Sequence, residues 1–277
     1  MKDRALVLVS DRHALLDDFE SYINRRLAST SVKLRMFWIR KFAAGYSLLQ
    51  ATEDDFLDYL DSNPSWSPST KQTIVSTFKV FYRWAHLAGH TPTNLAIDLM
   101  RIKVPRTRAR IATDQIILAG IARATVPQQA MLRLGSECGL RVAEIAALDR
   151  SCRRGKWLTV MGKGGQSRAI YLSPEVHDVL LEVEQTSMRW GFYFPGRARQ
   201  PIAPSTVWRH IRALTGLNTH ALRHRAGTTV YRKTGNDLRV AQEFLGHASP
   251  ATTAIYVHVE QEDLMRAAEA ARLPRAA

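Results

Sequence analysis

The sequence predicts a mainly α-helical protein in two domains, with one small β-hairpin or sheet in the second, which is therefore α+β. Three observations carry this prediction. Apolar residues recur at three- and four-residue spacing through most of the 277-residue chain. Strand character is confined to two short runs, Trp157–Val160 and Arg168–Leu172, flanking the glycine-rich turn MGKGGQS. Between two periodic regions lies MRIKVPRTRAR, residues 100–110, a proline-interrupted basic run without an acid. It is read as a linker over 100–111, between an N-terminal helical domain (1–99) and a second domain (112–277).

The elements follow in order. A helix over 12–27 places Leu15, Leu16, Phe19, Ile23 and Leu27 on one stripe, with about ten residues ahead of it. A second helix begins near Ser31 and carries Leu34, Phe37, Trp38 and Phe42 beside Lys33, Arg40 and Lys41. Thr52 with Asp55 three residues on predicts a capping box opening a short helix through Leu60. Glu53, Asp54, Asp55 and Asp58 could be metal carboxylates, but acids in a helix's first turns also favour its dipole, and that explanation is preferred. Ser67-Pro68 starts a long helix to about Ala88, with Ile74, Phe78, Phe81, Ala85 and Ala88 as its core face and Lys71, Lys79 and Arg83 elsewhere. Helices resume at Thr113, give way to the hairpin, and continue to the end with caps at Ser205, Asp237 and Ser249-Pro250.

The charge points to a polyanion. Lys plus Arg number 39 against 25 for Asp plus Glu, a net of +14. Residues 1–111 hold 17 basic and 11 acidic groups and residues 112–277 hold 22 and 14, so both halves are basic. Arg outnumbers Lys by 30 to 9, which suits bidentate phosphate recognition and equally suits a GC-rich genome. Candidate phosphate contacts are Lys33, Arg40, Lys71, Lys79, Arg83 and Arg209, together with Arg101, Lys103, Arg106, Arg108 and Arg110 of the linker, which could lie as a strap along a backbone. No apolar run approaches the roughly 18 residues that span a bilayer, so no membrane partner is expected. MKDRALVLVS is too short for a secretory signal. Cys138 and Cys152 lack metal or redox spacing, and a reduced, cytoplasmic setting fits best.

Four segments concentrate unusual polar residues: CGLRVAEIAAL with Arg141, the turn with Lys163, THALRHRAG with His220, Arg223 and His224, and FLGHASPATTAIYVHV with His247 and Tyr256. His220 and His224, four apart, share a helix face as some zinc ligands do, whereas the arginines among them favour an anion. A zinc site would want a third ligand and usually a Glu beside the first His. The turn lacks the phosphate-loop pattern GxxxxGK[ST], so nucleotide binding there is rejected.

Taken together, in this order, the segments resemble the tyrosine recombinase (phage integrase) family over nearly the whole chain. Residues 12–95 resemble its helical (SAM-like) core-type DNA-binding domain and residues 112–277 its catalytic domain. The resemblance implies six catalytic residues: Arg141 in GLRVAEI, Lys163 in MGKGGQSR, His220 and Arg223 of H-x-x-R, His247 of LGH, and Tyr256, the nucleophile of TTxxY. Glu144 stands one helical turn beyond Arg141, and His224 takes a structural role. Arg225 stands where relatives often carry Ser or Thr, and Gly227 where a larger residue is frequent. The type expected is a short, two-domain member without an arm-binding domain. A tail helix at about 259–273, with Leu264, Ala267, Ala268 and Ala271 on one side, would dock on a neighbouring protomer.

The implied chemistry suits these residue types. Two arginines can grip the non-bridging oxygens of a phosphodiester and stabilise the charge added by attack at phosphorus. The tyrosine must lose its proton, with an ordinary pKa near 10, and His220 is assigned to assist; His247 donates to a phosphate oxygen. Lys163 protonates the departing 5′ oxygen. The product is a 3′-phosphotyrosine whose bond energy allows rejoining without a cofactor. The expected function is phage integration or excision. The alternatives are Xer-like chromosome-dimer resolution or a transposon recombinase, then a type IB topoisomerase or an inactive DNA-binding regulator. Expected partners are double-stranded DNA at specific sites, a homo-tetramer on two duplexes, and accessory DNA-bending or directionality proteins.

Overall fold

The computed structural model describes residues 2–105, 111–162 and 167–246, with side chains from residue 12 onward. The chain divides into two compact units, residues 1–107 and 108–277.

The first unit is built from α1 (Lys2–Asn24), α2 (Ser29–Ala43), α3 (Glu53–Asp61) and α4 (Pro68–Leu87). Its core is aromatic: Phe19, Phe42, Phe56, Phe78, Phe81 and Tyr82 are fully buried. Phe42 and Phe78 lie 4.8 Å apart and Phe19 meets Phe81 edge-on at 4.9 Å. Such pairs are worth about 0.5–1.5 kcal/mol beyond the area they bury. Thr52 caps α3 as expected: its side chain accepts from the Asp55 backbone while Asp55 accepts from Thr52 N–H at 2.8 Å. Asp55 is thereby committed to the cap, and Glu53, Asp54 and Asp55 occupy the first turn, where the helix dipole favours acids.

Several expectations are corrected here. The first helix starts at Lys2, not residue 12, because nothing in KDRALVLVS breaks it, and ends at Asn24. Leu27 lies in the following turn yet still packs on the core. On α2, Leu34 and Phe37 are exposed, Phe37 by 55%; the buried face is Val32, Met36, Ile39 and Ala43 with Trp38 and Phe42 beside it. Two exposed apolar residues had shifted the apparent stripe. Ala88 is the exposed C-cap of α4 rather than part of its core face, which instead includes Val75, Tyr82 and Trp84.

The second unit opens with α5 (Asp114–Ala122), capped by Thr113, and α6 (Val126–Ser136), capped by Thr125 with Gln128. Helix α6 is central and packs against α5, α8 (Pro174–Thr186), α9 (Pro204–Thr215) and α10 (Thr219–Lys233). The short α7 (Val142–Ala146) leads into a three-stranded antiparallel sheet in the order β1 (Arg153–Arg154), β2 (Trp157–Met161), β3 (Ser167–Tyr171). The hairpin is β2–β3, with Leu158 opposite Ile170 and Met161 opposite Ser167. The third strand, β1, is two residues long, too short to show an alternation. Leu158, Val160 and Ile170 face the core while Trp157, Met161 and Tyr171 face out.

Helix α9 is capped by Ala203, with Pro204 in its first turn; Ser205 is already inside the helix, so the cap expected there is corrected. Asn218 caps α10, and Asp237 caps α11 (Leu238–Leu245) by accepting from Arg239 and Val240 N–H. Helix α11 ends at Gly246 in the left-handed region, φ +63°. The cap at Ser249-Pro250 and the tail helix at 259–273 lie outside the described residues. Among the described residues, no helix is long and apolar enough to cross a membrane.

Candidate active site

Three backbone ends meet in the second unit: the start of α7, the N-terminal half of α10 and the C-terminus of α11. Gly139, at φ +64°, turns the chain from α6 towards α7; a Cβ there would meet Leu245 at 2.8 Å. Arg141 then occupies the N-cap of α7. Its backbone N–H and its guanidinium both donate to Glu144, at 2.9 and 2.6 Å, and Nη2 reaches towards Gly246 O at 3.4 Å. The Arg141 side chain remains 36% exposed.

His220 and Arg223 project from the first turns of α10. Arg223 is 2% exposed and donates to the carbonyls of Gly139 and Leu245, the latter at 2.6 Å. Those bonds fix its plane and satisfy a carbonyl at the end of α11, where the helix dipole favours a cation. His224 is buried and meets His220 edge-on at 4.5 Å. Partial desolvation, and then the charges of Arg223 and Arg141, lower the pKa of His220, so it is held neutral and able to accept a proton. Among the described residues, no group of three His, Cys, Asp or Glu could hold a metal ion.

Glu144 is 5% exposed and Arg168, on β3, is 8% exposed. Nothing in the sequence marks Arg168 out from the other arginines of the chain. Its guanidinium bonds both Glu144 oxygens, at 3.2 and 2.8 Å. Burial pushes the Glu144 carboxyl up, but the bonds from Arg168 and Arg141 outweigh it and hold the pKa down at about 2. Arg225 is a brace within the unit: it pairs with Asp114 of α5 at 2.8 Å and donates to Ser136 O at 3.1 Å.

The structure thus brings Arg141, His220 and Arg223 together; Lys163, His247 and Tyr256 lie outside the described residues. Lys33 and Arg83 of the first unit are exposed, as are Arg101 and Lys103. Arg40 pairs with Glu20 at 2.6 Å, Lys71 with Asp61 at 2.9 Å, and Lys79 reaches Ile97 O at 3.4 Å. Arg209 is exposed on α9, with Nη2 near the Thr206 hydroxyl at 3.3 Å. Arg106, Arg108 and Arg110 lie outside the described residues. The Lys41 ammonium lies 5.0 Å from the Trp66 ring centroid, and the Arg212 guanidinium 5.4 Å from that of Trp208.

A helical unit that gathers rigid arginines and a neutral histidine around one helix end is of the class that handles phosphate esters. A model of the phage integrase family matches residues 112–263. A tyrosine recombinase XerC of Rhodospirillum centenum is 33% identical over 232 residues, covering 75% of this chain and 67% of its own. A tyrosine recombinase XerA of Pyrococcus horikoshii is 27% identical over 293 residues, covering 99% and 98%. A lambda integrase(75-356) dimer bound to a core site shares the fold, with a TM-score of 0.74 at 20% identity, covering 90% of this chain and 99% of its own. The chain belongs to the phage integrase family of tyrosine recombinases, enzymes that cleave and rejoin DNA.

Proposed function

We propose that this chain recombines DNA at specific sites through a covalent tyrosyl intermediate, with phage integration and excision as its role. The Tyr256 oxygen attacks the scissile phosphorus; a new P–O bond forms as the bond to the 5′ oxygen breaks, leaving a 3′-phosphotyrosine and a free 5′-hydroxyl. His220 assists removal of the phenolic proton, and Lys163 supplies a proton to the departing 5′ oxygen. Arg141, Arg223 and His247 bind the non-bridging oxygens as charge builds on them. A 5′-hydroxyl from a second duplex reverses the step. The phosphodiester energy is kept in the tyrosyl ester, so no cofactor is drawn upon.

The observation that carries this function is the convergence of Arg141 and Arg223 on the carbonyls of Gly246 and Leu245 at the end of α11, the two residues that precede His247 in the chain. The catalytic assembly is a homo-tetramer on two duplexes, joined by the tail at 259–273; a lambda integrase tetramer has been seen bound to a Holliday junction. The basic first unit and residues 100–111 hold the duplex, and accessory DNA-bending or directionality proteins set the outcome in the cytoplasm. The test is a nicked duplex carrying the site: wild type is expected to form a covalent adduct, Tyr256→Phe to form none, and EDTA to leave the yield unchanged. An adduct with Tyr256→Phe, or strict dependence on a divalent ion, overturns this mechanism.

Chromosome-dimer resolution is the second role to weigh, favoured by the near full-length likeness to the XerA recombinase. Sites selected from random DNA with Tyr256→Phe distinguish the two. Recombination between two copies of one site favours resolution, and a requirement for two different sites favours integration.

A further inference from the structure

We infer that Arg168 is a positioning residue for Arg141, acting through Glu144 to tie the hairpin strand to the phosphate-binding arginine. This rests on the recombinase function proposed above. Glu144 receives four N–H groups. Oε1 accepts from Arg141 Nη1 at 2.6 Å and Arg168 Nη1 at 3.2 Å; Oε2 accepts from the Arg141 backbone at 2.9 Å and Arg168 Nη2 at 2.8 Å. That is the full complement of lone-pair sites on a carboxylate. Arg141 is therefore held at its backbone and at Nη1 of its guanidinium, and the fork of Arg168 fixes the plane of the carboxylate that holds it.

The charge balance gives the second reason. One carboxylate between two guanidiniums leaves the trio with a net positive charge, and the exposed member of the trio is Arg141. Without Arg168, Arg141 and Glu144 would form a neutral pair, and Arg141 would have less attraction to offer a phosphate. Arg168 thus neutralises Glu144 so that the charge of Arg141 remains available.

Packing extends the link to α11. A Cβ on Gly246 would lie 2.8 Å from Arg168 Cδ and 3.1 Å from Nη1, so the end of α11 rests directly on this side chain. Arg168 lies on the strand that follows the turn carrying Lys163, and Gly246 precedes His247, so one side chain braces elements leading to both. Stability alone does not account for it. Arg168 Nε is buried with no hydrogen-bond partner among the described residues, and a buried ion pair with an orphan donor is generally no better than a well-packed apolar side chain.

The test is single-turnover cleavage of the nicked duplex at saturating protein, with Arg168→Gln and Arg168→Lys beside wild type. Arg168→Gln is expected to cleave about 10- to 100-fold more slowly, the range seen when a group orienting a functional ligand from behind is lost. Affinity for the uncleaved site, measured in the Tyr256→Phe background, is expected to stay within about threefold, well below the tenfold that corresponds to 1.4 kcal/mol. Arg168→Lys restores the charge but not the fork and recovers part of the rate. Arg168→Gln also gains an acid limb in its pH–rate profile, because Glu144 loses two of the four bonds that keep it ionised. A wild-type rate in Arg168→Gln overturns the inference, as does a loss matched by the unfolded fraction with an unchanged pH profile. If Arg168→Gln does not fold, Arg168→Lys decides by the same measurements. If wild type forms no Tyr256-dependent adduct, the recombinase mechanism itself fails and takes this inference with it.

Discussion

Glu144 and Glu184 each anchor an arginine cluster in the second unit, and the two clusters are finished differently. At Glu184 of α8, Arg153 of β1 donates through Nε at 2.8 Å and Nη2 at 2.9 Å, and the Tyr193 hydroxyl donates to the same carboxylate. Arg153 Nη1 goes to Gly155 O at 2.8 Å, and Arg150 adds a contact at 3.1 Å. No side-chain nitrogen or oxygen of Arg153, Glu184 or Tyr193 is left buried without a partner. Both clusters keep an exposed cation, Arg150 at 50% and Arg141 at 36%, but at Glu144 a buried donor, Arg168 Nε, is left without a partner. A satisfied cluster joins a strand to a helix. The exposed cation at Glu144 differs in its neighbours: Arg141 and Arg223 both act on His220, so their charges are gathered where an anion from outside can meet them.

The largest expected effect separates these roles most sharply. Arg141→Ala is expected to slow single-turnover cleavage by about 100-fold or more, the usual consequence of losing one donor to a developing oxyanion. Urea unfolding should change little, because the lost side chain is partly exposed. A large loss of stability with an unchanged cleavage rate would reverse the distinction between the clusters.

Glu184→Gln is the counterpart. Breaking a buried pair on one side typically costs about 3–5 kcal/mol, because the remaining charge is left uncompensated. Urea unfolding of the second unit should shift accordingly, while the folded fraction cleaves at the wild-type rate. Glu144→Gln, in contrast, should lower both.

What was legible beforehand follows the range of the interactions. The capping box at Thr52, the cap at Asp237 and the helix start at Thr113 are decided within four residues and could be read directly. So could the hairpin, whose two strands show themselves on either side of the turn. The helix face of α2 was misjudged because Leu34 and Phe37 are apolar yet exposed, and only the tertiary contacts of Met36 and Ile39 settle the register. Strand β1 carries no periodicity in two residues. Arg141, His220 and Arg223 were found through motif order, but Arg168 meets Glu144 across 24 residues and Arg153 meets Glu184 across 31. Each of those pairs is two ordinary charged residues until the fold brings them together. The role of Arg225 was open for the same reason, since Asp114 lies 111 residues away.

Gly246→Ala is expected to act more mildly, and on the Glu144 cluster alone. A left-handed φ of +63° costs a non-glycine residue about 1–2 kcal/mol, and the added methyl would push on Arg168 Cδ at 2.8 Å. Cleavage should slow by less than in Arg168→Gln. The Glu184 cluster should be untouched, which the Tyr193 environment, read by near-ultraviolet circular dichroism, can check.

The smallest effect is in stability against pH. The pKa of His220 is lowered from its ordinary 6.5, so just below that value the unfolded chain binds more protons than the folded one. Its contribution is present above pH 6.5 and is lost as pH falls through the lowered folded value. Glu144 is depressed from 4.5 to about 2, so its contribution is present above pH 4.5 and lost only as pH falls towards 2. Between pH 7 and 5.5, therefore, the contribution of His220 changes and that of Glu144 does not. Urea midpoints should decline slightly over that interval in wild type, with the decline reduced in His220→Asn and retained in Glu144→Gln. If Glu144→Gln flattened the slope instead, the carboxylate would be titrating near neutrality, and the fourfold bonding that distinguishes its cluster could not be holding it ionised.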